Sequence, residues 1–166
     1  MNDAFYEHFV TKKTGFPGLL KKALLIIGIL FLTILLSGII GVFAITLGFL
    51  GIILIVFLVF PYFKVEYEYS LLNHDLDISA IYNKEKRKKK AEIDLQKAEI
   101  IAPSNSPRLG HYNPAKTLDF SSGRKDAKTF SIMTLSNDKL FNIIIEPDET
   151  MLSQMRSWMG SKMYLD

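Results

Sequence analysis

A run of 41 residues without a single charge, Ala23 to Phe63, constrains this chain more than any other feature. It reads "ALLIIGILFLTILLSGIIGVFAITLGFLGIILIVFLVFPYF", and Thr33, Ser37 and Thr46 are its only polar side chains before Tyr62. About 20 helical residues cross the hydrocarbon core of a bilayer, so one straight helix of this length would be roughly twice too long. Two spans with a tight break fit better than the competing single tilted or re-entrant helix. Ser37-Gly38 and Gly41 supply the break, which predicts a hairpin over 19–63 with spans near 20–38 and 42–62. A cleaved signal peptide fits poorly, because its apolar region runs to only about 7–15 residues.

Orientation follows from the flanks. Lys12, Lys13, Lys21 and Lys22 precede the first span, Lys64 and a further basic cluster follow the second, and the break carries no Lys or Arg. The positive-inside rule then places both termini in the cytoplasm, as a multi-pass membrane protein. Gly41, Ala44, Gly48 and Gly51 form a small-residue stripe along the second span. Such a stripe lets another helix approach closely, either the first span or a second copy in a homo-oligomer. With no ionisable group in either span, no proton or ion pathway is expected. Residues 1–18 read as an interfacial segment, either a short helix lying on the bilayer or a frayed terminus: Phe5, Tyr6, Phe9 and Val10 recur at helical spacing, with Asp3 as a cap.

After Phe63 the apolar period changes to two. "VEYEYSLL" and "LDISAIYN" alternate around an "NHD" turn, "AEIDLQKAEIIAP" alternates after the basic cluster, and "KTLDFSS", "KTFSIMTLS" and "KLFNIIIEP" follow a polar loop at 103–115. The end reads as a helix over 148–160, capped by Asp148, stopped by Gly160, with Met151, Leu152, Met155, Trp158 and Met159 on one face. The expected fold is therefore a membrane helical hairpin plus a mostly-β cytoplasmic domain over 64–166. In that domain six antiparallel strands form a bent barrel-like sheet closed by the C-terminal helix.

The stretches "MNDAFYEHFVTKKTG", "VEYEYSLLNHDLDISAIYNKEKRKKK" and "IIIEPDETML" resemble an uncharacterised family of small bacterial membrane proteins that carries a domain-of-unknown-function label. The order of elements over 64–166 is similar to bacterial pleckstrin-homology-like (PH-like) domains. That resemblance implies a small bent-sheet barrel used for binding. Lipid-binding relatives grip phosphoinositides from the first inter-strand loop; here that loop is "NHD" and the basic residues fall in the second, so no phosphoinositide site is carried over.

In "NKEKRKKK", six of the seven residues Lys84 to Lys90 are basic, in a chain whose net charge is only +3. A meander starting at the membrane returns this segment to the membrane-facing end as a loop over 83–90. Lys84, Lys86, Arg87, Lys88, Lys89 and Lys90, with Lys64, are then candidates for contact with anionic headgroups, each worth about 1 kcal/mol near the surface; the alternative is a solvated loop whose charge only aids solubility. Nucleic acid is not an expected partner, because a recognised module and interleaved aromatics are lacking. His8, His74 and His111 are scattered, cysteine is absent, and no phosphate-loop or nucleophile-elbow motif occurs. No catalytic residue, cofactor or metal site is expected, and the lack of cysteine fits a reducing compartment. Arg108, His111 and Tyr112 in the long polar loop are the candidates for gripping a protein partner. The expected function is a membrane-anchored, non-enzymatic binding or adaptor protein. The alternative is an enzyme, or an accessory subunit of a membrane-associated enzyme or transport complex, with its site at loop 103–115.

Overall fold

The computed structural model describes residues 5–136 and 138–165; the suggested cap at Asp3 lies outside them. The described residues begin with a strand where an interfacial helix is expected. β1 (Phe5–Thr11) pairs antiparallel with β2 (Val65–Leu72), from Phe5 opposite Leu72 to Thr11 opposite Glu66. "FYEHFVT" satisfies two periods. Phe5, Tyr6, Phe9 and Val10 match a helix, but Tyr6, His8 and Val10 also alternate, and aromatic and β-branched residues favour a strand. The partner decides: Val10 is buried in the domain core and the Tyr6 hydroxyl donates to Asp148.

The apolar block is thus inserted between two neighbouring strands. α1 (Phe16–Ile40) and α2 (Val42–Leu54) meet at Gly41, whose φ of 59° and ψ of −136° suit glycine alone. α2 continues through a π turn (Ile55–Val59) into a 3-10 turn (Phe60–Phe63). Pro61 accounts for the change, since its ring cannot be accommodated against the carbonyl one turn earlier. At 1.5 Å per residue, α1 is about 38 Å long and the α2 arm about 33 Å, each enough for a hydrocarbon core of roughly 30 Å. The Thr33 and Ser37 hydroxyls donate to the Ile29 and Ile34 carbonyls, at 2.8 and 2.7 Å, so neither is left unsatisfied in an apolar setting.

Two four-stranded sheets follow, not one closed barrel. The first has the order β1-β2-β3-β4, with β3 at Asp75–Tyr82 and β4 at Lys86–Asp94. The second has the order β5-β7-β8-β6, with β5 at Ala98–Pro103, β6 at Lys116–Asp119, β7 at Phe130–Ser136 and β8 at Lys139–Ile145. The single strand expected over 91–103 breaks at a 3-10 turn, Leu95–Lys97, where the chain passes from one sheet to the other. The Asp94 carboxylate sets that turn by accepting from the Gln96 N–H at 3.0 Å. β6 is parallel to β8, so the all-antiparallel expectation fails there.

The basic run is a strand and not a loop. Its turn is only Asn83 and Lys84, both with positive φ (53° and 59°), closed by the Glu85 N–H donating to the Tyr82 carbonyl at 3.1 Å. That is the hairpin geometry whose twist matches the flanking strands. From Lys86 the chain pairs with β3, with a bulge opposite Ile78 and Ser79 that leaves Lys90 as the extra residue. β4 is an edge strand, and a row of lysines on an edge discourages pairing with other chains.

Both sheets turn one face to a common core that includes Tyr67, Tyr69, Leu71, Leu76, Ile78, Ile101, Ile132 and Ile145. α3 (Glu149–Met159) adds Met151, Met155 and Met159, one per turn. The Asp148 carboxylate caps it by accepting from the Met151 N–H at 2.8 Å, and Gly160 ends it at φ 55°. Rather than closing the end of a barrel, α3 lies against the Leu95–Lys97 turn. Trp158, expected on the buried face, is 41% exposed, with its ring centre 5.8 Å from that of His74.

Candidate functional site: the helix-facing end of the domain

The place where the helices leave the domain is built by three backbone contacts. The Lys12 N–H donates to the Val65 carbonyl at 2.9 Å, the Asn83 N–H to the Lys64 carbonyl at 3.2 Å, and the Lys13 N–H to the Ser122 carbonyl at 2.8 Å. The end of β1, the start of β2, the β3–β4 turn and the loop after β6 therefore converge at the root of the hairpin. Lys64 and Lys84 line one small hollow there with Pro61 and Glu66. On the helix side, the Lys22 ammonium sits 5.1 Å from the Phe60 ring centre and 5.7 Å from that of Phe63. Lys12, Lys13, Lys22, Lys64, Lys84 and Lys86 thus gather around one junction by way of four different chain segments.

The seven residues singled out for headgroup contact divide into three groups. Lys64, Lys84 and Lys86 are exposed at the junction. Lys88 and Lys90 follow on β4, Lys90 about 13 Å farther along at 3.3 Å per residue, with its ammonium 5.5 Å from the Tyr82 ring centre. Arg87 and Lys89 face acids on the outer sheet surface: Arg87 donates to Glu68 at 2.6 Å, and Lys89 to Asp77 at 3.0 Å and Glu92 at 2.8 Å. The Glu68 side chain is only 3% exposed. Burial pushes its carboxyl up, Arg87 opposes this, and Glu7 adds to it. Arg87 is therefore engaged in holding a buried acid. These pairings cross three strands, and nothing in the linear pattern of β4 announces them.

A second ion-paired knot fixes the junction to the core. Glu146 accepts from the Ser122 N–H at 2.8 Å and from Arg124 at 2.9 Å. Asp148 accepts from the Tyr6 hydroxyl and lies 3.6 Å from His8 Nδ1. Burial alone would raise both carboxyls. The hydrogen bonds from Ser122 and Arg124 overcome it at Glu146, and those from Tyr6 and the Met151 N–H overcome it at Asp148, so both are held below their ordinary values. A carboxyl depressed by folding stabilises above its unfolded value, near 4.5 for Glu and 3.8 for Asp, and that contribution disappears as pH falls through the lower folded value. Full-length protein in neutral detergent should thus lose resistance to denaturant below about pH 4.5. Glu146→Gln should remove about 1–2 kcal/mol at pH 7 and flatten the acid loss. Denaturant midpoints from pH 7 to pH 3 check both.

The other candidate residues do not converge. Arg108 stacks 4.1 Å over the Tyr164 ring, Tyr112 packs on the small cluster of Ile100, Ala102 and Met133, and His111 is exposed. Gly41 makes the helical break. Ala44 and Gly48 are buried between α1 and α2, and a Cβ on Gly48 would meet Thr33 Oγ1 at 2.1 Å, so the stripe is where the two helices touch. One cluster was invisible in the linear pattern. Opposite pairing of Asp75 and Asp94 brings both carboxylates and His74 to within 4.8 Å of one another. Lys97 already engages Asp94 at 3.2 Å, and the three groups are exposed or half-exposed.

The family described as "Bacterial PH-like domain (DUF6106)" matches residues 2–165, a span that takes in β1 and the helical hairpin as well as the later strands. No curated protein and no solved structure matches the chain.

Proposed function

The chain belongs to this family of bacterial PH-like domains of unknown function, and we propose that it is a membrane-anchored, non-enzymatic binding module held at the cytoplasmic face of the membrane. One observation carries the reading. β1 and β2 are adjacent antiparallel strands of one sheet, yet α1 and α2 lie between them in sequence. The chain enters and leaves the apolar block within one hydrogen bond, Lys12 to Val65. A folded domain cannot straddle a bilayer, so the block crosses twice and returns. The apolar side chains of α1 and α2, almost all exposed, are those that lipid would cover.

The lysines at the junction then lie at headgroup depth. With about 1 kcal/mol for each Lys near an anionic surface, Lys12, Lys64, Lys84 and Lys86 would contribute a few kcal/mol toward orienting a domain that is already tethered. Excess Lys at this end also assigns it to the cytoplasmic side. Amide hydrogen exchange of full-length protein in nanodiscs tests the docking. Segment 82–88 should exchange more slowly in discs containing phosphatidylglycerol than in pure phosphatidylcholine, and the difference should vanish at high salt or in Lys64→Gln/Lys84→Gln/Lys86→Gln. Equal exchange in both lipids would remove the docking and leave the anchor.

A further inference from the structure

The free edge of β1 is open, and we propose that it receives an extended, acidic peptide segment of a partner protein as an added strand. The Lys12 N–H bonds to Val65, so the even-numbered residues of β1 direct their backbone groups toward β2. By the alternation of an antiparallel ladder, Phe5, Glu7, Phe9 and Thr11 direct theirs the other way. Among the described residues, no backbone hydrogen bond reaches those four N–H groups; the first contact across the edge is Lys13 to Ser122. Beyond it opens a cleft of about 730 Å³, lined by the six consecutive residues His8 to Lys13 and, opposite them, by the Ser122–Lys128 loop and Pro147. Of the four outward-facing residues, Phe9 and Thr11 line this cleft, and unpaired strand groups facing a cleft are the arrangement used in strand addition. β4, the other edge of the same sheet, carries a row of exposed lysines; β1 has none over Phe5–Thr11.

Charge selects the occupant. Of the carboxylates in the lining, Glu146 is engaged by Arg124 and Ser122, and Asp148 by Tyr6, His8 and Met151. Lys12, Lys13 and Lys128 have no carboxylate within ion-pair distance among the described residues, and four basic residues, Arg124 included, face three acids, Asp126, Glu146 and Asp148, a balance of +1 with His8 neutral. A strand entering the cleft therefore meets surplus positive charge. A second copy in the same bilayer is excluded from antiparallel pairing here. β1 runs toward the membrane in every copy, so an antiparallel neighbour would have to be anchored from the other side.

The inference rests on the reading of the chain as an anchored binding module, and neutral discs separate the two, since failure here leaves the anionic-lipid exchange result standing. The probe is a fluorescein-labelled ten-residue peptide alternating Glu and Thr, added to full-length protein in phosphatidylcholine nanodiscs and followed by anisotropy, with a Lys/Thr peptide as counterpart. The acidic peptide should bind, slow the exchange of the Phe9 and Thr11 amides, and lose about tenfold in affinity in Lys13→Gln/Lys128→Gln. Phe9→Pro removes an outward donor and spares the β1–β2 ladder, so it should weaken binding to a similar degree without shifting the unfolding midpoint by more than a little. Equal binding of the Lys/Thr peptide, unchanged exchange at Phe9 and Thr11 with the acidic peptide bound, or displacement of that peptide by phosphatidylglycerol alone would overturn the proposal. The exchange readout stands even if Phe9→Pro does not fold.

Discussion

Replacing residues 13–64 by Asn-Gly should yield a protein that folds in water without detergent. Lys12 and Val65 already form a hydrogen-bonded pair of the β1–β2 ladder, and a two-residue turn of this composition closes such a pair with the right twist. The shortened chain loses the helices but keeps every buried residue of the common core. Removing residues 1–12 instead should have the opposite result, although it touches no apolar helix. It uncovers β2 and deletes Val10, worth about 1.5–3 kcal/mol as a buried side chain. It also removes the Tyr6 hydroxyl from Asp148 and seven residues of strand pairing. Together these losses amount to about 5 kcal/mol or more, comparable with the whole stability of an ordinary domain. Circular dichroism and gel filtration of the two proteins check the pair of outcomes: a sharp unfolding transition in the first, none in the second.

Tyr69 is the second place where one change should be severe. It is fully buried on β2, and its hydroxyl joins the two sheets by donating to the Phe120 carbonyl at 2.7 Å and accepting from the Glu146 N–H at 3.2 Å. Burial drives its phenol far above the ordinary value, so it stays neutral and keeps its donor at any pH the fold survives. Tyr69→Phe leaves two buried backbone groups without a partner and should cost about 2–4 kcal/mol. Tyr69→Ala adds a cavity and should cost about 3–5 kcal/mol or unfold the domain. Denaturant midpoints of the Asn-Gly form, once its folding is established, separate the hydroxyl from the ring.

How much of this was legible in the sequence depends on how local each cause is. Of the expected helical break only Gly41 serves, since Ser37-Gly38 stays inside α1; the hairpin itself, strands β2 and β3 and the capped C-terminal helix are written in runs of neighbouring residues. β1 is not, because its partner lies some 60 residues away and "FYEHFVT" fits a helical stripe as well as a strand. Its helix-like spacing wins in isolation and loses to the Tyr69 and Leu71 side of the core. The lysine run reads as a loop because an edge strand can carry charge on both faces; its two-residue turn depends on positive φ at Asn83 and Lys84, neither a glycine. The sheet exchange at Leu95–Lys97 hides inside an unbroken alternation. At the site, the return of Lys84 to the neighbourhood of Lys64 follows from the two-strand meander, but the course of Lys86 to Lys90 along β4, and the pairing of Arg87 with Glu68 and of Lys89 with Asp77, need the register of three strands. The groove beside β1 could not be seen before β1 was known to be a strand.

Because the chain has no cysteine, single cysteines can report sidedness without background. Glu7→Cys lies on β1 before the helices, Lys139→Cys on β8 after them, and Ile39→Cys beside the helical break, where the residue is 80% exposed. In intact bacterial cells, a membrane-impermeant maleimide should label Ile39→Cys and neither of the others, and all three should react after lysis. Labelling of Glu7→Cys or of Lys139→Cys from outside while the other stays protected would mean that the two strands lie on opposite sides of the bilayer, and the β1–β2 pairing from which the anchored module follows would be wrong.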